Sequence, residues 1–403
     1  MKHLIATAAL AAVAAAAAPA AADTWQTTWY AAPQPTWGAD FALPTNVPAS
    51  LDGQTVREVV RTSVGGTRLR VSFSNRYGSA PLTIGEARVA GVGSGRVLTF
   101  GGRREVVVAP GATATSDAVD FALPPLQRLS ISAWLPQRAP LTTFHWGAQQ
   151  TGLFAAGNAT AAEHFEGAST LQGRAFLSAV EVEGGTDGGT IVAFGDSITD
   201  GNGSTPDSNR RWPDYLADKL APQGVGVANA GISGARLLSD RMGVKALDRF
   251  QHDVLDQPGV SAVVVLMGIN DIGWPGSAFA PQDAPATAEQ LIAVYRQLIA
   301  RAHAKGVRVI GGTLLPYEGS LHGTPFEGHY TPAKDAVRRQ VNEWIRNSGA
   351  FDAVADFDAA LRDPAHPSRL LPRYDCGDHL HPSDAGYEAM ADVVSGLRLR
   401  DGS

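Results

Sequence analysis

Ser197 stands where a nucleophile has to stand. Phe194-Gly195-Asp196-Ser197-Ile198-Thr199-Asp200 follows the short apolar run Thr190-Ile191-Val192-Ala193. That order puts the serine on a tight turn at the C-terminal end of a strand, held outward. Alone, Gly-Asp-Ser is an ordinary turn tripeptide, because turns favour these residues anyway. Its meaning depends on Asp378-His379-Leu380-His381-Pro382, far downstream. A serine hydroxyl needs a base, a group to orient that base, and donors for an oxyanion. Asp378 and His381 are three apart, just before the last helical pattern. At that spacing one short turn brings the carboxylate to one imidazole nitrogen while the other faces outward. His379 is the rival base, but its place beside Asp378 suits an opposite-facing side chain, so it is read as structural.

Two further turns follow strand ends. Asn229-Ala230-Gly231-Ile232-Ser233-Gly234 closes one strand, and Met267-Gly268-Ile269-Asn270-Asp271 closes the next. Glycine lets a backbone N–H approach an oxyanion closely, and an asparagine amide offers a second, fixed donor. Each block alone reads as a turn. Together with the Asp/His pair, at strand ends of one sheet, they form a constellation.

The elements that must position these residues change near residue 185. Before it, β-prone runs recur between Gly, Pro, Asn and Ser clusters: Thr67–Phe73, Glu105–Val108, Leu129–Trp134 and Phe176–Val182. Val64–Thr67 and Asn75–Ser79 are turn candidates bounding the first of these. This predicts antiparallel strands in a sandwich-like, all-β domain over residues 23–183. Glycine-rich 184–189 reads as a linker. Residues 190–403 then alternate strands with helices. The strands fall at Ile191–Phe194, Val225–Ala228, Ala262–Met267, Val307–Gly311 and Phe351–Ala355. Helices fall around Trp212–Leu220, Lys245–Leu255 and Ala286–Ala304, after the N-cap Thr331 with Pro332, and over Ser383–Leu397. Five buried strands with intervening helices predict an α/β fold, a parallel sheet with its site at the C-terminal strand ends.

Composition narrows the function classes. Lys2, the alanine-rich apolar run Leu4–Ala18 and the small residues Ala20-Ala21-Ala22 read as a cleaved export signal over residues 1–22. The expected location is therefore periplasmic or extracellular, with no membrane anchorage after cleavage. The single cysteine, Cys376, allows no intramolecular disulfide, so a chain that is 44% hydrophobic must be held by its own core. Cys376 is read as a small packing residue near the site. A net charge of −6 argues against nucleic-acid partners and anionic membrane surfaces. Asp378, His379 and His381 lack a companion ligand group at metal spacing, so neither metal nor other cofactor is expected. His322 and His329, on the segment Tyr317–Tyr330, read as solvated loop residues. Trp274 either lines the pocket or packs. His145-Trp146 belong to the β-domain core or to an interdomain contact, and Asp356 and Asp358 read as structural.

With these blocks in order, the chain resembles the SGNH (GDSL-type) hydrolases from about residue 190 onward. Gly195-Asp196-Ser197, Asn229–Gly234, Gly268–Asp271 and Asp378–His381 carry the resemblance. It implies a flavodoxin-like three-layer fold and a serine esterase or acyl hydrolase. Ser197 would be the nucleophile, His381 the base and Asp378 its orienter. The Gly234 N–H, the Asn270 side chain and the Ser197 N–H would form the oxyanion hole. The layout is also similar to exported bacterial members with an N-terminal β-domain, some linked with xylan degradation. The expected function is an esterase for short acyl groups, acetyl above all, on small-molecule or polysaccharide esters of carbohydrate or aryl alcohols. The alternatives are a lysophospholipase or thioesterase, told apart by acyl-length preference, and a glycan-binding protein with a vestigial hydrolase domain.

Overall fold

The computed structural model describes residues 24–91, 93–184, 188–397 and 399. The expected export signal lies outside these residues, as do positions 185–187 of the expected linker.

From Thr190 on, the chain builds a five-stranded parallel sheet. Its strands, in chain order, are Thr190–Gly195, Gly226–Gly231, Val260–Leu266, Arg308–Gly312 and Ala353–Ala355. Side by side they lie second, first, third, fourth, fifth, the flavodoxin-like order, which places a binding crevice at the carboxyl ends where the order reverses. The inner strands are apolar on both faces: Ile191–Phe194 and Ala262–Leu266 are buried throughout. Helices close the faces and start where capping chemistry dictates. Thr287 and Gln290 form a capping box for Ala288–His303, Thr331 caps Pro332–Asn347, and Ser383 caps Asp384–Ser395. On Ala288–His303 the residues Leu291, Val294, Tyr295, Leu298, Ile299 and Ala302 are all buried, one stripe at helical spacing.

Two elements differ from the sequence expectation. The second strand runs on to Gly231 rather than stopping at Ala228. The Asn229 amide holds that extension by donating to Thr199 O at 2.9 Å and accepting the Gly231 N–H at 2.9 Å. The helix expected over Lys245–Leu255 is an α-helix only over Ala246–Phe250 and continues as a π-helical turn, Gln251–Leu255. This junction carries the fully buried pair Arg249 and Asp253, 2.9 Å apart. The Arg249 guanidinium also donates to Ala230 O and Gly195 O, each at 2.8 Å. It thereby ties together the ends of the second and first strands.

Before Thr190 the chain forms two larger antiparallel sheets, of five and six strands, with smaller ones between. The expected strands occur as Gly66–Ser74, Val106–Val108, Arg128–Leu135 and Leu177–Glu183. Arg128–Leu135 lies between Gln54–Arg61 and Glu86–Gly91, and Leu177–Glu183 between Gln26–Tyr30 and Gly66–Ser74. Alternation turns Leu69, Val71, Phe73, Val180 and Val182 of one sheet toward Val56, Val60, Val89, Leu129 and Ile131 of the other. All belong to one buried cluster, which makes the sandwich.

The β-region and the α/β-region share structure. Tyr30, Ala32 and Ala179 are buried within the α/β core, and Ala31 bridges to Asn229 on the edge strand. Ser63 Oγ accepts the Val227 N–H at 2.9 Å, so a sheet edge that would otherwise be open is covered. The Tyr30 hydroxyl donates to Asp253 at 2.6 Å and completes the Arg249 cluster from the β side. Burial would push the Asp253 carboxyl up, but His252 and Arg249 outweigh it and hold the carboxyl below its ordinary value. Replacing Arg249 by leucine removes the partner of Asp253 Oδ2 and of two strand-end carbonyls, with Tyr30 and His252 left on the other carboxylate oxygen. Urea unfolding of Arg249→Leu should show a loss of about 3–5 kcal/mol with an unchanged slope.

Candidate active site

The strand Thr190–Gly195 ends in a one-turn helix, Ser197–Asp200, and Ser197 is its first residue. Asp196 caps this turn by accepting the Ile198 N–H at 3.1 Å. Its second oxygen is buried without a hydrogen-bond partner, and burial pushes its carboxyl up to about 7. A protonated, neutral carboxyl is the form that such a site tolerates most cheaply. The Asp271 carboxyl is likewise pushed by burial to about 6, although it accepts the backbone N–H groups of Leu237 and Leu238. That contact braces the loop after the second strand against the turn after the third.

Three residues foreseen from sequence meet. His381 Nε2 lies 2.8 Å from Ser197 Oγ, and His381 Nδ1 lies 2.6 Å from Asp378 Oδ2. The other Asp378 oxygen accepts the backbone N–H groups of Leu380 and His381, at 2.9 and 2.8 Å. These bonds fix the carboxylate before it orients the ring. Burial acts to raise the Asp378 pKa, but the hydrogen bond and charge of His381 outweigh it and hold the carboxyl well below the usual carboxylate range. An ionised partner at Nδ1 leaves Nε2 free to accept the serine proton.

The foreseen donors line the same cavity, of about 180 Å³, with Ser197 and His381. Gly234 has φ +74°, and a Cβ there would lie 2.3 Å from Met242 Sδ and 2.9 Å from Trp274 Cζ2. Only glycine fits that turn without strain. Asn270 Nδ2 donates to Ala235 O at 3.1 Å, which fixes the amide and leaves its second hydrogen for a ligand. Trp274 does both things the sequence allowed, lining the cavity and stacking on Phe279 with ring centroids 5.0 Å apart. Phe279 stacks in turn on Phe326, and Phe41 of the β-region packs against Trp274. The wall is aromatic and apolar.

Other candidates fall away. His379 is exposed and bonds Asp375, not Asp378. Asp375, Cys376 and Asp378 place possible ligand atoms within 4.8 Å of one another, but both carboxylates already bond histidines. Cys376 is exposed rather than packed, and partial burial with nearby Asp378 and Asp375 pushes its thiol up to about 12, leaving it a weak ligand. His322 is exposed and bonded to Glu327, as expected of a loop residue. His329 corrects the sequence reading. It is buried against the cavity wall, bonded to Ser320 at 3.2 Å, and burial with nearby Lys334 and His381 lowers it to about 3. It is a neutral wall residue. Asp356 and Asp358 hold Arg346, and Asp358 also holds Arg338, a structural network.

One family model, GDSL-like Lipase/Acylhydrolase, matches residues 191–394, just over half of the chain. The chain belongs to this family of GDSL-type serine esterases. Similar solved structures include a GDSL-like lipase from Bacteroides thetaiotaomicron, at 18% identity over 51% of this chain and 86% of that one, with a TM-score of 0.38. An acetylxylan esterase from Geobacillus stearothermophilus aligns at 21% identity over 54% and 98%, with a TM-score of 0.36. An alpha/beta hydrolase enzyme from the metagenome of Lake Arreo, Spain, aligns at 22% over 51% and 93%, with a TM-score of 0.38. No curated protein sequence matches the chain.

In this GDSL hydrolase two further buried residues, Asp200 and His145, adjoin the site, and neither had an expected role there. Asp200, on the nucleophile turn, is buried, and its Oδ2 accepts both the N–H (3.0 Å) and the hydroxyl (2.6 Å) of Ser233. Ser233 precedes Gly234, so Asp200 sets the donor turn relative to the nucleophile turn. Its Oδ1 lies 2.9 Å from His145 Nε2, and His145 Nδ1 lies 2.9 Å from Ala32 O. Gly147 admits the approach, since a Cβ there would lie 2.3 Å from Asp200 Oδ2. In the sequence Asp200 stands three residues after Ser197 without an assigned role, and His145 was expected in the β-domain core or an interdomain contact, the second of which it makes. His145→Ala in this esterase should lower kcat roughly tenfold to a hundredfold through a misplaced donor turn. KM should stay nearly constant in steady-state kinetics, and His145→Gln should recover part of the loss.

Proposed function

We propose that the chain is an exported serine esterase that hydrolyses short-chain acyl esters, acetyl foremost, of carbohydrate or aryl alcohols. The observation that carries this reading is the hydrogen-bonded series Ser197–His381–Asp378 opening into a small apolar cavity. Ser197 Oγ attacks the ester carbonyl as its proton passes to His381 Nε2, and Asp378 stabilises the imidazolium that forms. The Ser197 N–H, the Gly234 N–H and the Asn270 amide stabilise the tetrahedral oxyanion. The imidazolium then protonates the leaving alcohol. Water, deprotonated by His381, releases the acid from Ser197 by the same route in reverse.

Size supports the short acyl group. The catalytic cavity measures about 180 Å³ and is lined by Trp274, Phe279 and Leu380 as well as the catalytic pair. Acetyl to butyryl groups fit such a space beside the first atoms of the alcohol. The family assignment supports ester chemistry in general. Export is inferred from the sequence of residues 1–22.

Initial rates on 4-nitrophenyl esters from acetate to decanoate test the reading. Activity should peak at acetate or butyrate, and Ser197→Ala should abolish it. Asn270→Ala should cost about 10²–10³ in kcat. Rates still rising at decanoate would move the assignment to a lysophospholipase or thioesterase. Near-wild-type activity in Ser197→Ala would remove Ser197 from the mechanism.

A further inference from the structure

We propose that a second cavity, beside the catalytic one, binds the alcohol portion of the substrate and selects a neutral carbohydrate. The inference rests on the esterase reading and decides between the alcohol classes that reading leaves open.

The cavity measures about 370 Å³, within the range of small-molecule sites, and is built mainly by the β-region. Its polar side chains are the amides Asn46, Gln149, Gln150, Gln172 and Asn202, with the hydroxyl of Thr151. Trp146 and Asn202 line both this cavity and the catalytic one, so the two adjoin beside Ser197. Among the described residues no charged side chain lines it.

That lining specifies a ligand class. An amide offers donors and an acceptor together, matching hydroxyls, which do the same. A charged ligand would enter without a counter-charge and lose its hydration. A lipid chain would strip water from the amides and return no hydrogen bonds. The Trp146 indole N–H is already engaged with Pro44 O at 3.2 Å, so its ring is left as an apolar wall beside the amides. A sugar ring presents this combination, with C–H groups on its faces and hydroxyls around its rim. An aryl alcohol has no use for the amides.

Three of the amides, Gln149, Gln150 and Asn202, are held in place before any ligand arrives. Gln149 Nε2 donates to Asn202 Oδ1 at 3.1 Å, and Gln150 Nε2 donates to Asp207 Oδ1 at 2.6 Å. Asp207 also donates its backbone N–H to Gln149 O at 3.0 Å. Gln149 itself has φ +47°, a left-handed backbone that glutamine rarely adopts. Such strain persists where neighbours enforce it, and it concentrates at ligand-holding sites.

Two variants test the subsite without touching the catalytic machinery. Gln172 is exposed, and Asn46 has φ +57°, which glycine accepts freely. Gln172→Leu and Asn46→Gly should each lower kcat/KM on an acetylated neutral methyl glycoside roughly three- to tenfold, the worth of one hydrogen bond. The value on 4-nitrophenyl acetate should stay within about twofold. Equal losses on both esters, or none on the glycoside ester, would overturn the subsite, as would wild-type preference for an acetylated uronate. Binding of a neutral oligosaccharide to the Ser197→Ala protein, followed by NMR, reads the subsite without turnover. Binding that Gln172→Leu weakens, with no wild-type hydrolysis of any ester, would uphold the subsite and sink the esterase reading. Hydrolysis of 4-nitrophenyl acetate without such binding would do the reverse.

Discussion

A carboxylate shut off from water must find its hydrogen bonds inside the protein, and Asp200 finds them on both sides of the molecule. One oxygen holds Ser233 in the α/β-region, and the other meets His145 from the β-region. Leaving either side unpaired would bury an uncompensated polar group. The two regions are therefore fixed to each other at the point where the nucleophile turn faces the donor turn. Gln34 repeats the device nearby: buried, it accepts the Trp146 N–H at 2.9 Å and donates to the Met242 carbonyl. The β-region is part of the site's frame, and its residues Trp146 and Leu43 form part of the catalytic wall.

The electrostatics of the site follow from the same rule, applied with different partners. Asp378 has a histidine and two backbone donors, and its carboxyl is held low. Asp196 has one backbone donor and an orphaned oxygen, and its carboxyl rises. Of these two acids only the first contacts His381 and is kept ionised beside it. The Asp196 carboxyl serves the turn that presents Ser197. Arg249 works one layer deeper, holding the carbonyls on which both turns begin.

The parallel sheet and the meeting of Ser197, His381 and Asp378 were legible because their signals are local. Each buried strand reads as an apolar run, and each functional turn follows it within a few residues. Asp378 and His381 need only a three-residue spacing to meet. The antiparallel region was legible in class but not in detail. Strands such as Gln54–Arg61 place charged residues among apolar ones, and edge strands of two or three residues leave no periodic trace. What the sequence hid was long-range pairing. The contacts of Tyr30 with Asp253 and of His145 with Asp200 join residues that no window connects. His329 was misread for a related reason: its segment looks like a polar loop, but folds back to put the ring against the cavity.

The central claim is that Ser197 carries the acyl group in a covalent intermediate and that His381 makes it able to do so. Mass spectrometry of the protein after reaction with an alkyl fluorophosphonate tests it most directly. The account predicts one adduct, on the peptide containing Ser197, formed far more slowly in His381→Ala. An adduct on another residue, or equal labelling with and without His381, would contradict it.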